Sequence, residues 1–210
     1  MKKFLLAPFA LLMHSALAAT TTGLSVTGII DPPSCDVSMV GSDFSYGTSI
    51  LLNPTGNTAL GVSAPQTLNI TCAGLVLVGI RGTDNRAGTN VTSINPNAYG
   101  LGLDGGNNKI GDYTLNYSNV SLNGGTGFMV WSTDGGTTWA GGNGGGTINT
   151  YAAQAITYGL KATSGAGQPV PMTSASFNLA VTPTIAPKST LDASNTIQLD
   201  GSATIALVYL

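Results

Sequence analysis

Few residues of this chain are equipped for chemistry. Cys35 and Cys72 are the only cysteines, every acidic side chain is an aspartate, and the one histidine is His14. His14 falls in a leader expected to be removed, which leaves the mature chain without an imidazole. Ser–His and Cys–His nucleophile systems depend on one, and zinc sites draw chiefly on cysteine and histidine. Paired carboxylates can hydrolyse glycosides, but Asp104 and Asp112 stand in no motif for it, and surface turns account for them. In an oxidising compartment an even pair of cysteines implies a disulfide. The expectation is a non-enzymatic protein with a Cys35–Cys72 bridge, no cofactor and no metal.

The compartment is read from the N-terminus. Met1-Lys2-Lys3 gives a positive start, FLLAPFALLM a short apolar run, and Ala16-Leu17-Ala18 a small-residue exit. This pattern predicts a signal peptide over 1–18, with the cut before Ala19. The apolar run is short for a membrane span. Removal leaves five basic residues against nine aspartates, a net charge near −4. Arg81, Arg86, Lys109, Lys161 and Lys188 are scattered, so no basic patch offers itself to nucleic acid.

The elements that must carry these residues read as strands. GLSVTGII (23–30), QTLNITC (66–72), LVLVGIR (75–81), DYTLNYS (112–118) and GFMVWST (127–133) show alternation or β-branched richness. So do 149–162, ASFNLAV (175–181) and 196–210. Gly, Asn, Pro and Ser clusters separate them, and no segment has a helical apolar period. The pattern predicts an all-β sandwich of one domain. GGNGGG (141–146) reads as a flexible hairpin tip. A calcium-binding repeat turn would need an aspartate that Thr147-Ile148-Asn149 does not supply. TDNRAG (83–88) is a loop with no evident purpose.

STDGGTTW (132–139) matches the S-x-D-x-G-x-T-W box that recurs in sialidases and other glycan-active propellers. Sialidase chemistry would require several boxes and an arginine cluster, whereas only Arg81 and Arg86 lie close in sequence. Asp134 ahead of Gly135-Gly136, with strands on both sides, explains the box as a structural hairpin with Trp139 beneath it. Trp131, Trp139, Tyr151 and Tyr158 could stack on sugars, though alternation along strands buries about half of such residues.

The two ends carry the most specific signal. Leu24, Val26, Gly28 and Ile30 share one face of an extended segment, and Asp31-Pro32-Pro33 then interrupts any continuous strand. Ala203, Ile205, Leu207 and Tyr209 share a face of the last segment, with Ala206 and Val208 opposite, which suits a strand buried on both sides. The stretch VTGIIDPPSC, the second cysteine and the ending LDGSATIALVYL together resemble a subunit of chaperone–usher pili (fimbriae), in particular a group of longer pilin-like proteins. The likeness covers roughly 19–86 and 173–210. It departs where typical pilins have a glycine about fourteen residues from the C-terminus and this chain has Ile197.

The resemblance implies an incomplete immunoglobulin-like sandwich over 34–210, preceded by an N-terminal donor-strand extension over 19–33. Leu24, Val26, Gly28 and Ile30 would be the donor strand. Ile205, Leu207, Tyr209 and Leu210 would form the acceptor-groove edge and the chaperone contact. The implied partners are a periplasmic pilus chaperone, an outer-membrane usher and neighbouring subunits, with no nucleic acid and no stable membrane insertion. The expected function is a structural subunit that passes through the periplasm to a surface fimbria and contributes to adhesion. The alternative is a freestanding periplasmic or secreted binding module built on the same sandwich, with glycans as the candidate ligand.

Overall fold

A computed structural model describes residues 22–31, 33–41, 43–47, 49–91, 93–150 and 155–210. The leader (1–18) and Tyr151 therefore lie outside the described residues. The chain divides into two units, Met1–Asp31 and Pro32–Leu210. In the first, residues 22–31 carry no regular secondary structure. Leu24, Val26, Ile29 and Ile30 are each at least 88% exposed.

The second unit is all-β. Its strands are β1 (Cys35–Met39), β2 (Thr58–Ala59), β3 (Gln66–Val76), β4 (Val78–Asp84), β5 (Tyr99–Gly100), β6 (Gly111–Leu122) and β7 (Gly125–Thr126). There follow β8 (Phe128–Ser132), β9 (Ala140–Asn143), β10 (Gly146–Ile148), β11 (Thr157–Lys161), β12 (Met172–Ile185) and β13 (Ala203–Tyr209). One short 3₁₀ turn, Lys188–Thr190, is the only helical element among the described residues. One sheet has the order β1-β3-β12-β6-β10, with β2, β5 and β7 added to its long strands. The other has the order β13-β4-β11-β8-β9. Strand pairing is antiparallel in both sheets.

The core follows from alternation. Along β12, Ala175, Phe177, Leu179 and Val181 are buried while Ser176, Asn178 and Ala180 between them are less so, because successive side chains point to opposite faces. Against them from the second sheet stand Ile80, Met129 and Leu160. Tyr99 and Tyr113, paired across β5 and β6, stack with ring centroids 5.3 Å apart. Gly82 makes room for them, since a Cβ there would lie 2.1 Å from the Tyr99 hydroxyl.

Several expectations need correction. The strand expected over 149–162 is confined to Thr157–Lys161, with Asn149 and Thr150 irregular. The strand expected over 196–210 begins only at Ala203. Ile197 and Leu199 pack against the core without pairing. GGNGGG is no free hairpin tip. It carries the chain from β9 in one sheet to β10 in the other. Its glycines serve close packing: Gly142 has φ +92°, and a Cβ there would lie 2.0 Å from the Gly165 carbonyl oxygen. Nor is the last strand buried on both sides, because β13 is an edge strand with no fully buried residue.

Candidate binding groove

The sandwich has two lateral seams, and they differ. On one side the outermost strands, β9 and β10, are consecutive in the chain, so the Gly144-Gly145 link stitches the sheets together. On the other side the outermost strands are β13 and β1. Unlike β9 and β10, these two strands are not consecutive in the chain, and a hollow opens between them.

The hollow has a volume of about 510 Å³, with Met39, Phe44 and Tyr46 on one wall and Ala203 and Ile205 on the other. Leu115, Leu179 and Val181 line its floor. It shares Phe44, Tyr46 and Leu199 with a second hollow of about 900 Å³ that reaches Leu52, Ile185 and Leu191. The first wall continues beyond β1 as an irregular segment. Tyr46 ties it down by donating its hydroxyl to the Val181 carbonyl at 2.7 Å, and burial raises the pKa of that phenol.

The second wall is β13. Among the described residues it pairs only with β4, in the register Ile205↔Gly82, Leu207↔Ile80 and Tyr209↔Val78. Ile205 and Leu207 share the face of the buried Val78 and Ile80 and are themselves half-buried. The free side of the strand presents an unpaired row of backbone groups, as sheet edges do. Leu210 extends the strand's tie to the body through its backbone N–H, which donates to the Leu77 carbonyl at 3.1 Å.

Both ends of this wall are fastened. At the far end the Tyr209 hydroxyl accepts from the Cys35 backbone N–H at 3.1 Å and donates to the Pro33 carbonyl at 3.4 Å. Cys35 and Cys72 form the expected disulfide, which joins β1 to β3 at directly opposed positions. At the near end the 83–88 loop holds the entry to β13. Arg86 pairs with the Asp200 carboxylate at 2.7 Å and donates through Nε to the Asp200 carbonyl. Asn85 donates to the hydroxyls of Ser202 and Thr204. Asp84, buried, braces the loop by accepting from the N–H groups of Arg86 and Gly100. The purpose that TDNRAG lacked in the sequence is thus to clamp LDGSAT. No local signal pairs Arg86 with Asp200, because the partners are 114 residues apart.

The four expected donor positions lie in the other unit. Leu24, Val26 and Ile30 are exposed there, and Gly28 has nothing within 4 Å of where a Cβ would stand.

The 132–139 box is a braced turn between β8 and β9. Ser132 donates to Asp134 at 2.7 Å, and Asp134 accepts from the Thr138 hydroxyl and from the N–H groups of Thr137 and Thr138. These bonds, led by Thr138, hold the Asp134 carboxyl well below the usual range. Trp139 is buried, its indole N–H donating to Gly136, while Trp131 remains 43% exposed. Among the described residues no three His, Cys, Asp or Glu side chains gather as a metal cluster would.

The chain is 28% identical to Protein GltF of Escherichia coli (strain K12) over 237 residues of alignment, covering 93% of this chain and 92% of that protein. No family model matches the chain. No solved structure matches it.

Proposed function

We propose that this protein is a structural subunit of a chaperone–usher fimbria, exported and then polymerised by strand addition. The observation that carries the reading is a sandwich open along one seam, in a chain that also bears an unpaired apolar ribbon. The ribbon of one subunit, through Leu24, Val26, Gly28 and Ile30, fills the groove bordered by Ile205, Leu207 and Tyr209 of the next. Main-chain hydrogen bonds to the free edge of β13 supply affinity, and alternate side chains fill the hollows. In the periplasm a chaperone strand occupies the same groove, with Leu210 at its edge, and the usher exchanges it for the ribbon.

Magnitudes favour such an exchange. Burying Leu24, Val26 and Ile30 contributes about 1.5–3 kcal/mol each, about 5–9 kcal/mol together. A whole domain is commonly stable by about 5–15 kcal/mol. An inserted strand therefore decides whether the sandwich persists, and it covers an edge that otherwise invites aggregation.

Deletion of residues 19–30 tests the proposal. The truncated subunit should still form a complex with the chaperone and should fail to join its neighbour. Normal fibre assembly by the truncated chain would refute the assignment of the ribbon as donor.

A further inference from the structure

Five dipeptides of this chain set an aspartate or asparagine directly before a glycine: Asp104-Gly105, Asn123-Gly124, Asp134-Gly135, Asn143-Gly144 and Asp200-Gly201. In such pairs the glycine nitrogen can reach the preceding side-chain carbonyl carbon, because no Cβ hinders its approach. Four of the five side chains are held. Asp104 accepts from the N–H groups of Gly106, Asn108 and Asp192. Asp134 is bonded by Ser132, Thr137 and Thr138, and Asp200 by Arg86. Asn123 accepts through Oδ1 from the N–H groups of Thr173 and Ser174 and from the Thr173 hydroxyl. Asn143 differs. It is exposed, and its side chain makes no hydrogen bond among the described residues. We propose that Asn143 is a site of spontaneous modification, converting to aspartate and isoaspartate, and that the conversion loosens the link closing one seam of the sandwich.

The chemistry needs only water and a base. Hydroxide takes the proton of the Gly144 nitrogen, which then attacks Cγ of Asn143. A bond forms between that nitrogen and Cγ, the bond from Cγ to the side-chain nitrogen breaks, and ammonia leaves with a proton from water. Water then opens the cyclic imide. Attack at Cγ gives aspartate, and attack at the main-chain carbonyl gives isoaspartate. In sum an amide and a water become a carboxylate and ammonium, and nothing is oxidised or reduced. The site leaves room for ring closure. Nothing lies within 4 Å of where a Cβ on Gly144 would stand, and the Gly144 N–H makes no backbone hydrogen bond among the described residues.

Its position gives the conversion a consequence. Asn143 ends β9 opposite Met129, and Gly144-Gly145 leads from there to β10 in the other sheet. Both sides of this link are anchored. Gly142 accepts from the Gly165 N–H at 3.0 Å, and Gly145 lies against the Tyr117 carbonyl, 3.2 Å from where its Cβ would be. Isoaspartate routes the main chain through Cβ, which adds a methylene to the link and sets a carboxylate where a neutral amide stood. The pairings on either side, Asn143↔Met129 and Gly146↔Tyr117, are the ones that give.

Asn123 supplies an internal control. Both asparagines precede Gly-Gly, so an unfolded chain treats them alike and only the fold distinguishes them. The natural mature protein is aged, folded, at neutral and at mildly alkaline pH. Peptides spanning the two sites are followed by mass spectrometry, and isoaspartate is read from methyl transfer by an isoaspartate methyltransferase. Conversion at Asn143 should be faster than at Asn123 by about tenfold or more, the effect of the hydrogen bonds that Asn123 must give up, and it should quicken as pH rises. In urea the two rates should converge. Equal rates in the folded protein would overturn the proposal, as would a difference that persists in urea. Hydrogen exchange at 140–148 reads the consequence separately. It should rise as the natural protein ages and stay constant in Asn143→Gln, whose longer side chain closes the ring far more slowly. Exchange unaltered by ageing in both proteins would overturn the loosening of the seam.

Discussion

The wall formed by β1 depends on one covalent bond. Of its five residues, Asp36, Val37 and Ser38 are exposed, and only Cys35 and Met39 are half-buried. Burial therefore contributes little to holding the strand in place. What remains is the ladder to β3, the Tyr209 hydroxyl and the Cys35–Cys72 bridge. The bridge closes a loop across a sequence separation of 37, which the chain-entropy relation converts to about 4 kcal/mol near room temperature. That is a large share of the roughly 5–15 kcal/mol by which a domain is commonly stable. The double variant Cys35→Ala/Cys72→Ala should lose about 4 kcal/mol in urea unfolding. In native-state hydrogen exchange, protection at 35–39 should fall further than that at β6 and β12, because the wall detaches before the core opens. Added strand should then no longer dock. A loss under about 1 kcal/mol, or β1 amides that stay as protected as those of β12, would refute the view that the bridge holds the groove's wall.

Two further predictions concern buried polar groups. Asp112 is 2% exposed, with one carboxylate oxygen unpartnered, and desolvation pushes its pKa up to about 6. A carboxyl whose folded pKa lies above its unfolded value favours folding when protonated. This contribution is complete below about pH 4 and is lost as pH rises through about 6. Asp112→Asn should therefore gain on the natural protein by about 3 kcal/mol between pH 3.5 and pH 8, measured as the change in their difference in unfolding free energy; a difference that stays flat with pH would contradict this account. The Tyr99 hydroxyl is buried and unpartnered beneath Gly82. Since an unsatisfied buried group costs about 1–3 kcal/mol, Tyr99→Phe should raise the unfolding midpoint, and a lowered midpoint would mean that the hydroxyl has a partner.

Much of the architecture was legible in local sequence. Alternation marked β3, β6, β8 and β12, because a strand with one face in a core repeats every two residues. The disulfide followed from two cysteines and an expected export signal, and the braced turn at 132–139 from side chains that bond within a few residues of their own position. The shortest strands, β2, β5 and β7, were not legible. Two residues carry no period, and these strands exist only because long neighbours offer them an edge.

The C-terminal strand marks the division most clearly. Apolar residues on both faces of IALVYL identify a strand in contact with a core, and sequence alone settles that much. Alternation cannot tell a central strand from an edge strand beside an open seam, since both present apolar side chains inward. That distinction, the passage of GGNGGG between sheets and the Arg86–Asp200 clamp all depend on which distant segments become neighbours. Sequence determined the class of element, the covalent staple and the local turns, because those forces act within a few residues. The tertiary structure decided which seam is closed and which stays open, because that is settled by pairings between strands far apart in the chain.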